Sequence, residues 1–173
     1  MYVNEQAGLV YVANPRTASR AVGEALTTHA GFTMMGSHHS TDGIPDGALV
    51  FTAVRNHYDA LVSLWYSMHG GLPFEPRFLD WYPHHIAFEY PHGRLFPYTD
   101  LADITVRYER LAFGVNLVLS MRRLGPIPVR RKGWGLRRRG RPYQLHYDPA
   151  MRAAVAERYG EEMEALGYDW EHV

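Results

Sequence analysis

Hydrophobic and polar positions alternate along this chain in a pattern that is typical of α/β proteins. Short apolar runs predict strands at 9–13, 49–54 and 104–107, with two weaker candidates at 32–35 and 127–131. Apolar residues at helical spacing predict helices near 18–29, 57–69, 109–123 and 149–166. Because strands and helices follow one another in turn, we expect a parallel central sheet of about five strands with helices on both faces.

The last predicted helix has the clearest boundaries. Asp148 stands at the position of an N-terminal cap, Pro149 follows at the first helical position, and Gly167 comes after the periodic run. Residues of these types satisfy or end the hydrogen-bond ladder at the two ends of a helix. The apolar stripe of this helix, which predicts a buried face, consists of Met151, Val155, Tyr159 and Met163.

A polar turn with two arginines follows the first predicted strand. Residues 15–20 read PRTASR, and an amphipathic helix begins within them. The first amides of a helix have no intrahelical partner and lie at the positive end of its dipole. A phosphate or sulfate placed there would gain amide, hydroxyl and guanidinium donors. The alternative is a plain helix start that is capped by Thr17 or Ser19.

A second turn of this kind follows the strand at 49–54. Arg55 ends that strand, and Asn56 and Asp59 stand like a helix cap and its partner three residues later. Ser63 lies about one and a half turns into the following helix. Arg55 and Ser63 would hold one phosphate from two sides, unless they are a surface arginine and a helix serine without a ligand. Two such turns at one sheet edge predict a ligand with two phosphate-like ends.

Together the two turns resemble the sulfotransferases that use 3′-phosphoadenosine 5′-phosphosulfate. The first loop of that family reads approximately P-K-[TS]-[GA]-[ST]-[ST], and its second signature reads approximately V-R-[ND]-P-x-D-R-[LV]-x-S-x-[YW]. Residues 15–20 match the first, and residues 54–65, VRNHYDALVSLW, follow the second with the Arg-to-Ser spacing kept. The resemblance implies that the 3′-phosphate is held by Arg55 and Ser63. It implies that the 5′-phosphosulfate is held by Arg16, Thr17, Ala18, Ser19 and Arg20.

Three further segments are similar to the family pattern, each more weakly. Residues 107–111, RYERL, resemble a Y-E-x-L element, which implies that Tyr108 lies near the adenine. Residues 148–170 resemble the terminal helix and G-Y-x-W tail of the membrane-type and bacterial branch. Residues 131–133 resemble an R-K-G motif that closes over the 3′-phosphate in the cytosolic branch; they are Arg131, Lys132 and Gly133.

Three residues depart from the family pattern. Arg16 replaces the usual lysine, so the charge is kept on a planar fork instead of a point-like ammonium. Arg20 replaces a small hydroxyl residue at the helix start. His57 replaces a proline whose main effect is to preset φ at the first helical position. These changes leave open whether the co-substrate binds in an altered pose.

The resemblance implies both a fold and a reaction. We expect a P-loop-like three-layer α/β fold in a single domain over residues 1–173. The expected activity is transfer of a sulfuryl group to a hydroxyl or amine of a small-molecule or glycan acceptor. A nucleotide or small-molecule kinase is an alternative, although the chain lacks the G-x-x-x-x-G-K-[ST] loop of P-loop kinases.

An acceptor hydroxyl has to lose its proton during such a transfer, so a base is needed. Residues 36–40 read GSHHS and lie between the second and third predicted strands. Some members of the family carry a catalytic histidine in this part of the chain. We therefore expect His39, or else His38, to be the base, and Arg16 to stabilise charge on the bridging oxygen. Two loop histidines without a catalytic role are the alternative.

The segment 70–100 differs from the rest of the chain. It is rich in aromatic residues, prolines and histidines, and its helical periodicity is weak. It lies between the second turn and the strand at 104–107. This position favours an acceptor-binding insertion or lid, and an irregular packing insertion is an equal alternative.

Composition excludes some chemistry and adds one alternative. The 173 residues include no cysteine, which excludes disulfides and thiol nucleophiles, and no spacing suggests a metal site. We find no apolar run that would span a bilayer and no signal peptide, and we expect a cytoplasmic protein. Residues 130–141 hold seven cations in twelve positions, which leaves open a non-catalytic nucleic-acid or nucleotide-binding protein. The balanced net charge does not favour nucleic acid as a partner.

Overall fold

The computed structural model of this protein describes residues 1–37, 41–69, 78, 94–130 and 141–171. The chain forms two compact units. The first spans Met1–Arg55 and Phe96–Lys132, and the second spans Asn56–Leu95 and Gly133–Val173. The single domain expected over residues 1–173 stays a prediction.

A five-stranded sheet forms the first unit, which confirms the predicted α/β class and strand number. The strands are β1 (Tyr2–Asn4), β2 (Leu9–Val12), β3 (Thr33–Met34), β4 (Leu49–Val54) and β5 (Ile104–Arg107). Their order across the sheet is β3-β1-β2-β4-β5. The pairs β2–β4 and β4–β5 are parallel, whereas β1 is antiparallel to both β2 and β3. The sheet is therefore mixed, and the prediction of a parallel sheet was wrong for its β1–β3 edge.

The difference arises from a hairpin at the start of the chain. A tight turn joins β1 to β2, with the amide of Gly8 donating to the carbonyl of Glu5 at 3.2 Å. Gly8 has φ 59°, a left-handed conformation that glycine adopts without steric cost. A strand of three residues is too short to give a periodic signal in the sequence. The other weak candidate, at 127–131, is not a strand in its described part, 127–130.

Four helices are present in the described part of the chain, close to their predicted limits. They are α1 (Ser19–His29), α2 (His57–His69), α3 (Leu111–Met121) and α4 (Pro149–Ala165). In the first unit, α1 and α3 bury their apolar faces on the same side of the sheet, against Tyr11 and Phe51. The segments around Ile44 and Tyr98 pack on the other side, against Val10 and Val12. Successive side chains along a strand point to opposite faces of the sheet, so β2 contributes to both of these cores.

Small residues let both helices lie close to the sheet. A Cβ atom added to Gly114 of α3 would overlap the side chain of Val106 on β5. One added to Gly23 of α1 would overlap the ring of Tyr2 on β1. At these two positions a larger side chain would require the helix or the facing side chain to shift.

The second unit is built on α2, α4 and aromatic side chains. The cap of α4 is as predicted, because the carboxylate of Asp148 accepts from the amide of Met151 at 2.8 Å. Tyr58 packs edge-on against Tyr147 and Trp170, with ring centroids 5.3 and 4.8 Å away. No helix in the described ranges has the length and apolar content needed to cross a bilayer.

Candidate functional site

Three parallel strands of the first unit end at one edge of the sheet. Val12 at the end of β2 is in register with Thr52, and Val54 at the end of β4 is in register with Arg107. The loop after β2, Arg55 after β4 and Tyr108 after β5 therefore all follow carboxyl ends of adjacent parallel strands. This edge is where ligands bind in open α/β sheets.

The loop between β2 and α1 has an unusual backbone. Arg16 and Ala18 both have positive φ, 62° and 60°, although neither is glycine. Each such residue costs about 1–2 kcal/mol relative to ordinary conformations. Left-handed residues that alternate in this way turn successive amide groups toward one side, and such concave amide arrangements bind anions.

Buried side chains hold this loop in place. Asn14 is fully buried, and its amide donates to the hydroxyl of Thr52 at 3.0 Å and to the carbonyl of Ala53 at 3.2 Å. Its side-chain oxygen accepts from the amide of Tyr98 at 3.2 Å. The hydroxyl of Thr17, also fully buried, donates to the carbonyl of Asn14 at 2.8 Å. The loop is thus tied to β4 and to the segment that precedes β5.

The start of α1 has no acidic side chain in its first turn. Ala18 is the cap residue, no side-chain cap hydrogen bond is present, and the first turn contains no carboxylate. At α4, in contrast, Asp148 caps the helix. The positive end of the α1 dipole is therefore not neutralised by a side chain of its own first turn, which favours an anion at this position.

Arg55 connects two of the predicted site segments. It is only 8 % exposed, and its Nη1 donates to the carbonyl of Arg16 at 3.1 Å. Its guanidinium carbon lies 4.1 Å from the centroid of the Tyr108 ring. This is a cation–π contact, and it places the arginine, the tyrosine and the loop carbonyl in one cluster.

Two residues of the loop's helical side differ in exposure. Ser19 is buried, whereas Arg20 is exposed on α1.

Two tyrosines near the loop keep their protons. Burial raises the pKa of Tyr2, and the positive charge of Arg20 opposes that increase. Burial also raises the pKa of Tyr11, whose hydroxyl lies beneath the loop near Thr17. Both tyrosines are therefore neutral at physiological pH.

Of the other predicted site residues, one belongs to the second unit and the rest lie outside the described part of the chain. Ser63 is half-buried on α2, in the second unit. Most of the segment 70–100 lies outside the described residues. The same holds for His38, His39, Arg131, Lys132 and Gly133. In the ranges that the structure describes, no three histidine or acidic side chains are grouped as metal ligands would be.

Sequence reasoning missed the residues that support the loop. Thr52 is a polar residue inside an apolar strand run, and Asn14 directly follows another such run. A polar residue at such a position was the signal in the sequence that could have identified them. Sequence reasoning also missed a buried contact in the second unit. His57 is fully buried, and its Nε2 lies 2.7 Å from a carboxylate oxygen of Glu162. The same oxygen of Glu162 accepts from the amide of Leu95 at 2.7 Å.

Comparisons of this chain with models of protein families, with curated proteins and with solved structures found no match.

Proposed function

We propose that this protein transfers a sulfuryl group from 3′-phosphoadenosine 5′-phosphosulfate to a hydroxyl or amine of an acceptor. One observation carries the proposal. Within the first unit, Arg55 contacts both the carbonyl of Arg16 and the ring of Tyr108. The family resemblance assigns these three residues to the 3′-phosphate, the phosphosulfate and the adenine, which are parts of one ligand.

The loop at 15–20 fits the 5′-phosphosulfate. Its left-handed residues Arg16 and Ala18 and the uncapped start of α1 offer amide groups to an anion. Asn14 and Thr17 hold the loop from below, so that an anion meets a preformed site instead of ordering one. Preorganisation of this kind matters because charge stabilisation dominates in-line transfer of such groups.

Arg55 and Tyr108 fit the nucleoside end of the ligand. A guanidinium is a planar fork that matches two oxygens of one phosphate. The contact with Tyr108 and the bond to Arg16 fix the orientation of that fork. The tyrosine ring provides a flat apolar surface at the same edge of the sheet, which suits an adenine base.

The chemistry follows from these positions. The acceptor oxygen attacks sulfur in line, the bond from sulfur to the bridging phosphate oxygen breaks, and negative charge grows on that oxygen. Arg16 and the start of α1 stabilise this charge. The base predicted from the sequence, His39 or His38, takes the proton of the acceptor hydroxyl.

Calorimetric titration with 3′-phosphoadenosine 5′-phosphate tests the donor site. We expect micromolar binding that adenosine 5′-phosphate and ATP do not reproduce. Arg55→Lys should weaken it by at least about thirtyfold, because a lysine loses the fork and its charge-assisted bonds. Arg122→Lys, at an exposed arginine beyond the end of α3, is the matched control and should bind like the parent. Ser63→Ala separately tests the role that the sequence assigned to that residue.

Equal binding of ATP and the 3′-phosphorylated nucleotide would reject the donor assignment and favour the kinase alternative. Absence of nucleotide binding, with salt-sensitive binding of many oligonucleotide sequences, would favour the nucleic-acid alternative. If the nucleotide binds as expected, transfer is then measured with the labelled donor and a panel of hydroxyl and amine acceptors.

A further inference from the structure

The outward face of α3 carries a row of apolar side chains. Phe113, Leu117 and Met121 are 68 %, 48 % and 53 % exposed and follow one another at intervals of four residues. They extend along about 12 Å of the helix and stay within one quarter of its circumference. The inward face of α3 is already buried against the sheet. The row therefore adds nothing to the core of the first unit, and large apolar residues in such positions mark interaction surfaces.

The charge around this row is mainly positive, because the sequence from Val106 to Arg130 holds one acidic residue, Glu109, about one turn before Phe113. Arg110 precedes α3, Arg122 and Arg123 follow it, and all three are exposed. From Arg110 to Tyr147 the sequence holds ten arginines and lysines and no aspartate or glutamate. Because the whole chain has 18 basic and 18 acidic residues, this concentration is a local property of the sequence segment 110–147.

We propose that this face of the first unit binds the surface of an anionic lipid bilayer. The face consists of Phe113, Leu117 and Met121 together with the flanking arginines, and it is separate from the proposed sulfuryl transfer. The apolar row would enter the boundary between headgroups and acyl chains, and the arginines would contact lipid phosphates. An anionic bilayer supplies both requirements at once, an apolar layer and a plane of negative charge.

A second copy of this chain fits the same face poorly. In an antiparallel contact between two α3 helices, Arg122 and Arg123 of one copy would approach Arg110 of the other. In a parallel contact each arginine would approach its own equivalent. Glu109, directly before Arg110, offsets only part of this repulsion, because residues 110 to 130 hold four arginines and no carboxylate.

A nucleic acid also fits it less well. Phosphates would satisfy the arginines, but a duplex offers no apolar surface to cover Phe113, Leu117 and Met121. Nucleic-acid binding through this region would therefore depend on the arginines and not on the row. That difference separates the two partners by experiment.

Vesicle co-sedimentation of the whole chain tests the proposal. The probes are phosphatidylcholine vesicles with and without one quarter phosphatidylglycerol, at about 50 and 500 mM salt. We expect binding to the anionic vesicles that falls steeply at the higher salt concentration. Leu117→Ser should weaken it by about tenfold through lost apolar burial. Arg122→Gln should weaken it by about fivefold, which corresponds to one cation near an anionic surface.

Leu101→Ser is the matched control, because Leu101 is 44 % exposed and lies outside α3, between two residues that pack on the other side of the sheet. This variant should bind like the parent, and thermal unfolding should confirm that all variants are folded. Absence of binding to anionic vesicles would overturn the proposal. So would an unchanged affinity for Leu117→Ser, or tighter binding of a 20-nucleotide oligomer that competes with the vesicles.

Discussion

The side-chain amide of Asn14 donates to the hydroxyl oxygen of Thr52 at 3.0 Å, and this bond ties the anion loop to the adjacent strand β4. Thr52 in turn donates its hydroxyl proton to the carbonyl of Val12 at 2.6 Å. Both side chains are fully buried. The strained loop is therefore stabilised by buried groups of the sheet.

Asn14→Ala should lower the free energy of unfolding by about 2–3 kcal/mol. The change removes three hydrogen bonds and leaves the amide of Tyr98 without its acceptor. Thr52→Val removes two hydrogen bonds, those with Asn14 and Val12, and should cost less, because Asn14 keeps its bonds to Ala53 and Tyr98. Urea unfolding measures both effects. A double-mutant cycle should give a coupling of about 1 kcal/mol between the two positions, and additive effects would contradict the shared network.

Ala18→Gly should stabilise the protein by about 1 kcal/mol, an unusual direction for a glycine. Ala18 has φ 60°, which costs an alanine energy and a glycine almost none. Ala154→Gly, at an exposed position inside α4, is the control and should destabilise by about 1 kcal/mol. Thermal unfolding compares the two. A loss of stability in Ala18→Gly would show that the left-handed conformation is not retained in solution.

Glu162→Ala should cost about 3 kcal/mol, even though glutamates are usually replaceable. One oxygen of Glu162 lies 2.7 Å from Nε2 of the fully buried His57 and accepts from the amide of Leu95. Removal of the carboxylate leaves both groups without this partner in a buried place. Chemical denaturation measures the loss. The neighbouring Glu161→Ala, at an exposed position, should change stability by less than about 0.5 kcal/mol.

Stability should fall when the pH rises above about 10. Burial raises the pKa of Tyr11 and of Tyr143 in the folded protein, and neighbouring acidic groups add to the increase at Tyr143. Above pH 10 the unfolded chain therefore releases protons that the folded protein keeps. The stability that the raised pKa values of the two tyrosines contribute is fully present below pH 10, and it is lost as the pH rises through the folded pKa values.

Urea unfolding at several values between pH 9 and 11.5 measures this slope. Tyr143→Phe should reduce the slope by up to about 1.4 kcal/mol per pH unit, the value for one proton. The same variant loses the hydrogen bond from Tyr143 to the carbonyl of Trp170, so it should also be less stable at pH 8. An identical slope in parent and variant would contradict a raised pKa at this residue.

Much of the fold was accessible from local patterns. The strands at 49–54 and 104–107 and the helix at 57–69 have their predicted limits, because each is long or regular enough to show its period. The cap at Asp148 was equally clear, since its bond to Met151 depends only on residues three apart. Elements with local signals are those that sequence reasoning identifies.

The antiparallel edge of the sheet and the support of the loop were not accessible in this way. β1 has three residues, and its pairing with β3 joins residues about 30 positions apart. The contacts of Asn14 with Thr52 and Tyr98 span 38 and 84 positions. A polar residue next to an apolar run is compatible with many partners, and only folding selects one.

The sequence by itself determined the α/β alternation, the helix ends and the two arginine-bearing turns, because each depends on the spacing of residues near one another in the chain. Tertiary structure alone decided that Arg55 packs between the carbonyl of Arg16 and the ring of Tyr108. It also decided that Arg16 and Ala18 take left-handed conformations, which their residue types disfavour. Such arrangements persist only where distant buried groups compensate their cost, and that balance is a property of the packed molecule.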